Sequence, residues 1–186
     1  MTELFEKSIH TLELPKVLEL LSTLAVTEEG KRRARELRPE TDPDQVEKRL
    51  KETSAAVEMM VLRGSPSFSG IRPVAGSLQR ADMGGSLNTR ELMDIARVLG
   101  AARAVKDYGD GDSDRKTVID YLFRSLHPNR FLEDKITTSI VGEGELADSA
   151  SPELASIRRH MRATESKVRD ILQKIISSSQ ARYLQD

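Results

Sequence analysis

The sequence contains no cysteine and no tryptophan, and only 4% of its 186 residues are aromatic. Without cysteine, a disulfide framework and every thiolate metal site are excluded. The longest apolar runs, such as Met59–Leu62, are far too short to span a bilayer. The first residues also lack the basic stretch followed by an apolar run that marks a signal peptide. These absences predict a soluble, cytoplasmic protein with no membrane partner.

The composition favours a helical fold. Hydrophobic residues make up 38% of the chain and charged residues 32%, so it can bury a core beneath a hydrated surface and wholesale disorder is not expected. Leu, Ala, Glu, Lys and Arg dominate, and these residues have high helix propensity. The net charge is −1, so any contact with a polyanion has to come from a local basic patch.

Apolar periodicity and helix-start signals predict a series of short helices. The spacing of apolar residues from Leu12 to Leu24 is typical of an amphipathic helix. A side-chain oxygen before an apolar-periodic run predicts an N-cap, and a following glycine such as Gly64 predicts a helix end. The predicted N-caps are Thr27, Asp42, Asn88 or Thr89, and Ser151. Further short helices are expected at Pro73–Ala81, Val118–Leu126 and Phe131–Val141.

The helix that starts at Ser151 is predicted to be the longest. Its apolar residues recur at intervals of three and four, which is a heptad pattern with a narrow seam. These residues are Leu154, Ile157, Met161, Val168, Ile171 and Ile175. Continued to Asp186, the helix would be on the order of 50 Å long. A seam this narrow favours one helical partner, and no such partner is evident in the sequence.

We therefore predict an all-α fold, in which a bundle of short helices leads into one long heptad-patterned helix. Residues 1–150 are expected to form a helical core or lever domain. Residues 151–186 are expected to form the long helix, which is the start of a coiled-coil arm. No glycine or proline stops this helix before Asp186, so we expect the sequence to be a segment of a longer protein.

Motifs that would indicate catalysis are incomplete. The letters of Gly142–Ala147 match a dinucleotide fingerprint, but no strand–turn–helix pattern surrounds them, so a loop or small hairpin is predicted. The acidic turn Asp110–Asp114 is not a calcium loop, because Arg115 and Tyr121 stand where such a loop needs a glycine at position six and a glutamate at position twelve. The three histidines follow no metal-binding pattern, and no phosphate loop is present. We expect no catalytic residue, cofactor site or metal site within these residues.

Two basic clusters are candidates for nucleic-acid contact. One lies on the short helix after Thr27 and contains Lys31, Arg32, Arg33, Arg35 and Arg38. The other lies on the long helix and contains Arg158, Arg159, Arg162, Lys167 and Arg169.

The second cluster has two interpretations. A basic stripe on an exposed helix can follow a phosphate backbone. An ordinary solvated helix surface, with intrahelical pairs such as Glu165 with Arg169, explains the same residues, and no aromatic residues interleave the stripe for stacking.

Several segments, taken together in their order and spacing, resemble the type-two MutS family. They include Leu24–Gly30, Leu37–Pro39, Gly70–Pro73 and the run Asp148–Leu154, which is followed by the long basic helix. The resemblance covers nearly the whole chain. Members of this family lack the mismatch-reading domain of true mismatch-repair MutS proteins and begin directly with the helical lever region. They continue into a clamp, a dimerising phosphate-loop ATPase and usually a nuclease domain.

The resemblance implies that these residues are the N-terminal lever and clamp-arm region and contain no active site. It also implies that ATP and Mg bind in a downstream ATPase domain of a homodimeric full-length protein. That protein would bind branched DNA to suppress recombination, or split collided ribosomes. From the residues alone, a second hypothesis is a stand-alone helical adaptor that dimerises through its C-terminal heptads.

Overall fold

A computed structural model describes residues 3–111 and 116–177 of the chain. In these ranges it contains nine α-helices, one 3-10 turn and one two-stranded sheet, so the predicted all-α class is confirmed. The chain divides into two compact units between Asp134 and Lys135.

Short helices make up the first unit. They are α1 (Glu3–Thr11), α2 (Leu14–Leu24), α3 (Glu28–Arg35), α4 (Pro43–Arg63), α5 (Ala75–Asp82), α6 (Thr89–Asp110) and α7 (Asp120–Arg124). Helix α8 (Arg130–Ser139) begins in the first unit and ends in the second. The second unit continues with β1 (Ile140–Gly142), β2 (Glu145–Leu146), a 3-10 turn (Asp148–Ala150) and α9 (Pro152–Ile176).

The predicted helix starts are confirmed by their caps. Thr27 Oγ1 accepts the Gly30 N–H at 3.0 Å, and Ser151 Oγ accepts the Leu154 N–H at 3.1 Å. Asn88, rather than Thr89, caps α6 in a reciprocal box with Glu91. The Asp42 carboxylate caps α4 through the Asp44 N–H at 3.0 Å. Each cap satisfies a backbone donor that the first helical turn would otherwise leave unpaired.

The helix predicted across Leu12–Leu24 is confirmed as α2, which begins two residues later, at Leu14, whereas the preceding helix α1 was not predicted. Glu13 lies between them with a left-handed φ of 56°. Pro15 follows in the first turn of α2. Since a proline ring clashes with the preceding turn and offers no N–H, α1 cannot continue through it.

The helix predicted across Phe131–Val141 ends earlier, at Ser139. Ile140–Gly142 instead pairs antiparallel with Glu145–Leu146, and Gly144 takes the positive φ of 78° that the connecting turn needs. The hairpin predicted at Gly142–Ala147 is therefore confirmed.

Ser151 and Pro152 begin α9, as predicted. The division into domains 1–150 and 151–186 stays a prediction. The acidic turn at 112–114 and the continuation of the long helix over 178–186 lie outside the described residues.

Helices α2 and α3 pack closely because small side chains lie between them. Ser22 is fully buried, and its hydroxyl donates to the Glu19 carbonyl at 2.8 Å, so the buried group is satisfied. Ala34 of α3 is buried as well. At the edge of this contact, the Arg35 guanidinium donates twice to the Glu19 carboxylate, at 2.8 and 3.0 Å.

Helix α6 connects several elements of the first unit. Its Tyr108 hydroxyl donates to the Gly64 carbonyl at 2.8 Å, and Arg63 donates to the Tyr108 carbonyl at 2.9 Å. Arg103 donates twice to Glu133 of α8, at 3.1 and 2.8 Å. Ile95, Ala96 and Val105 of α6 are buried. The first unit thus combines a small apolar core with long-range polar links.

Gly109 marks the closest approach between α6 and α7. A Cβ added there would lie 2.3 to 2.7 Å from carbons of the Phe123 side chain. We predict that Gly109→Ala destabilises the chain by about 1–3 kcal/mol, since overpacking outweighs a helix-propensity gain of about 1 kcal/mol. Urea denaturation measures the change, and Gly109→Ala should cost little when it is made in a Phe123→Ala chain, where the clashing ring is absent.

Gly76→Ala is the matched control for this substitution. Gly76 lies in α5, where an added Cβ meets nothing within 4 Å. We expect Gly76→Ala to be neutral or stabilising by up to about 1 kcal/mol. Equal stability of the Gly109→Ala and Gly76→Ala chains would contradict the close contact with Phe123.

Candidate nucleic-acid interface

Helix α9 carries the predicted basic residues beside an exposed apolar ridge. The helix has 25 residues, all described, and none of them is buried. Six large apolar side chains on it are 50% to 56% exposed, namely Ile157, Met161, Val168, Ile171, Leu172 and Ile176. An open groove of about 670 Å³ runs along this face from Ile157 to Arg169. Four of the six residues expected to line a coiled-coil seam therefore form an open surface, while Leu154 and Ile175 are half-buried.

The five predicted basic residues do not form one stripe. At ~3.6 residues per turn, Arg158, Arg162 and Arg169 fall on the same side of α9, because they are four and seven residues apart. Lys167 precedes Arg169 by two residues, which places it about 160° away around the helix axis. Arg159 lies about 100° from Arg158. Arg158, Arg162 and Arg169 are therefore the most closely aligned group, within about 40° of one another around the axis.

Two of these arginines share one carboxylate. Arg158 Nη1 lies 2.5 Å from Asp148 Oδ1, and Arg162 Nη2 donates to Asp148 Oδ2. Arg158 Nη1 also donates to the Leu146 carbonyl oxygen at 2.8 Å. Asp148 is the first residue of the 3-10 turn that precedes α9. These contacts fasten the turn and the end of the hairpin to about the first three turns of the helix.

The two guanidinium groups lower the pKa of Asp148 below its usual range. The hydrogen bond from Arg158 is the largest cause, that from Arg162 is the next, and desolvation opposes both. Asp148 is therefore an anion at neutral pH. The pair of arginines is arranged so that a single anion bridges them.

The other three candidates are exposed on α9. Among the described residues, no hydrogen bond or ion pair joins Arg159, Lys167 or Arg169 to another side chain. The intrahelical pair predicted between Glu165 and Arg169 is not formed. An exposed pair of this kind gains little, since solvent screening and side-chain entropy offset the attraction. Nucleic-acid contact stays a prediction for all five basic residues.

Acidic neighbours compensate most of the basic cluster on α3. Glu29 accepts from both Arg32 and Arg33, and these two hydrogen bonds lower the pKa of Glu29 to about 2. The other pairs are Lys31–Glu28, Arg32–Glu36 and Arg35–Glu19. Because its charges are balanced locally, α3 is a weaker candidate for polyanion contact than α9.

The partner of Arg158 and Arg162 was missed from the sequence. Asp148 lies in the run Asp148–Leu154 that carried the family resemblance, but it precedes its partners by 10 and 14 residues. No helical spacing rule links residues across the turn, so only the position of the 3-10 turn brings them together.

Residues 3–111 and 116–177 contain neither a cluster of metal ligands nor a helix that could span a membrane. No group of three His, Cys, Asp or Glu side chains there lies close enough to hold a metal ion. None of the helices in these ranges combines the length and apolar character needed to cross a membrane.

No protein-family model matches the chain. Over 185 residues it is 40% identical to a protein named Endonuclease MutS2 from Acetivibrio thermocellus. Proteins of the same name from Ruminiclostridium cellulolyticum and Agathobacter rectalis are 41% and 38% identical to it over 184 residues. Each alignment covers 97% of this chain. This chain belongs to the type-two MutS family.

The family resemblance inferred from the sequence is therefore confirmed. The chain spans 23% of the length of each of these relatives. The name "endonuclease" is given to those longer proteins. In the described part of this chain, the structural features that indicate a function are the ridge of α9 and the arginines beside it.

The lowered pKa of Asp148 predicts a pH dependence. Its folded-state pKa is below the unfolded value of about 3.9, so its contribution to stability is complete above about pH 4 and is lost as the pH falls through the folded pKa. A carbon-13 NMR titration of the Asp148 carboxyl group should show this low midpoint. Arg158→Gln should raise the midpoint, and Arg159→Gln should leave it in place. A titration midpoint near 3.9 for Asp148 in the unsubstituted 186-residue chain would contradict the contact with the two arginines.

Proposed function

We propose that this chain is the N-terminal lever and the start of the clamp arm of a cytoplasmic, MutS-like, nucleic-acid-handling ATPase with endonuclease activity. The observation that carries the proposal is the exposed heptad ridge of α9. The chain itself supplies no catalytic residue. ATP and Mg would bind in a separate ATPase domain of the parent protein, through which that protein forms a homodimer.

The ridge requires a second helix. Fully burying a large apolar side chain contributes about 1.5–3 kcal/mol, so covering the exposed halves of six contributes several kcal/mol in all. Intervals of three and four residues suit knobs-into-holes packing against one helix, which forms a coiled coil. The relatives are long enough to supply this helix, because 77% of their length lies outside the matched segment.

A paired α9 would serve as a lever. Its 25 residues span about 37 Å at 1.5 Å per residue, and a paired helix is stiff along its axis. The Asp148 contacts hold its first turns to the preceding segment. A rotation at one end would therefore reach the other end as a rigid-body movement. This is the mechanical role that links an ATPase to a distant clamp.

The substrate of the parent protein would be branched DNA, whose binding suppresses recombination, or the ribosomal RNA of collided ribosomes. Both present a phosphate backbone. Arg158 and Arg162 lie beside the ridge, and Arg169 lines the edge of the groove, so a second helix could cover the ridge and leave Arg158 and Arg162 open to phosphates.

The absence of native cysteine allows a direct test of the helical partner. Val168→Cys places a thiol on the ridge, and Ser166→Cys places one on the far side of α9 as a matched control. In the parent protein, with its other cysteines replaced, maleimide should modify Val168→Cys at least roughly tenfold more slowly than Ser166→Cys, which corresponds to about 1.4 kcal/mol of protection. In the 186-residue chain, both thiols should react at similar rates.

Two outcomes would reject the lever proposal. Equal modification rates for both thiols in the parent protein would mean that no helix covers the ridge there. The stand-alone adaptor predicts a different result for the isolated 186-residue chain. There, Val168→Cys would already be protected from maleimide, and sedimentation would show a dimer that forms through the heptads.

A further inference from the structure

The contact between Asp148 and the two arginines of α9 has the form of an occupied anion site. We propose that Arg158 and Arg162 bind one phosphate group of a nucleic-acid backbone, and that the Asp148 carboxylate occupies this position until the phosphate displaces it. The inference rests on the proposed function only in assigning the phosphate to nucleic acid.

The geometry suits a phosphate as well as a carboxylate. Each oxygen of Asp148 accepts from a different guanidinium, and the two arginines are four residues apart on one side of α9. A backbone phosphate also offers two unesterified oxygens, so it can accept one hydrogen bond from each arginine in the same way. The Leu146 carbonyl holds Arg158 through a separate bond, so this arginine stays oriented when Asp148 leaves.

Displacement of the Asp148 carboxylate by a phosphate would involve only a small change in free energy. The side chains of Asp148 and Arg162 are 47% and 62% exposed, and exposed ion pairs contribute only about 0–1 kcal/mol. A phosphate contact is of similar strength and gains further from the release of condensed counterions. Asp148 would therefore reduce affinity for the polyanion without preventing binding.

This competition would favour a nucleic acid over an isolated phosphate ion. Arg169 lies on the same side of α9, about 10 Å along the axis from Arg162 at 1.5 Å per residue. A backbone with several phosphates can contact Arg169 while it displaces Asp148, and the two contacts reinforce each other. Inorganic phosphate has only the first contact.

Charge-matched variants of the 186-residue chain separate competition from bulk charge. Asp148→Asn removes the competing charge and keeps the shape of the side chain. Asp170→Asn makes the same charge change elsewhere on α9. The probes are a fluorescein-labelled four-way DNA junction, an RNA stem-loop and inorganic phosphate, at about 50 mM salt, where phosphate contacts are strong. Thermal denaturation confirms that each variant is folded.

Asp148→Asn should tighten junction or stem-loop binding about twofold to fivefold more than Asp170→Asn does, which corresponds to one surface ion pair. Replacing Arg158 and Arg162 by Gln should weaken binding more than replacing Arg159 and Lys167 by Gln. In the Arg158→Gln, Arg162→Gln background, Asp148→Asn should no longer tighten binding, because its effect acts through those two arginines.

Three results would overturn the proposal, and they differ in what else they reject. If Asp148→Asn and Asp170→Asn act equally while nucleic acid still binds, the phosphate site is wrong and the proposed function is unaffected. If only inorganic phosphate shifts the side-chain NMR signals of Arg158 and Arg162, the ligand is not nucleic acid. If no probe binds any variant, both the site and nucleic-acid contact by this chain are rejected.

Discussion

An amphipathic helix in water is stabilised chiefly by burying its apolar face, and α9 keeps that face open along its length. The several kcal/mol available from covering the ridge exceed what the exposed ion pairs of the same helix can contribute. The partner helix, rather than the arginines, would therefore set the position of α9. Because Arg158 and Arg162 lie beside the ridge and do not line its groove, helix pairing and phosphate contact are compatible on one helix.

The first unit also leaves apolar side chains exposed, although it buries a small core. Its close contacts depend on small residues, such as Ser22 against α3 and Gly109 against Phe123. Elsewhere large apolar side chains stay exposed, including Leu24 of α2 at 80% and Val61 of α4 at 79%. Such surfaces are typical of a segment that packs against other parts of a larger protein. They support the proposal that these helices anchor an arm within a longer chain.

Local features were predictable from the sequence, since a few consecutive residues determine them. The caps at Thr27, Asn88 and Ser151 and the hairpin turn at Gly144 follow this rule. The nine-residue helix α1 was not predicted, because the apolar periodicity that indicates a helix begins only at Leu12. Helical geometry alone would also have separated Lys167 from Arg169. Contacts across turns, such as Asp148 with Arg162, depend on tertiary positions that no spacing rule contains.

Hydrogen exchange along α9 tests the central claim most directly. The backbone amides between Ile157 and Ile175 would be compared in the 186-residue chain and in the complete parent protein under the same conditions. A helix whose ridge is covered should open less often, so these amides should exchange at least roughly tenfold more slowly in the parent protein. Equal exchange rates in the two proteins would contradict the claim that a second helix of the parent protein covers α9.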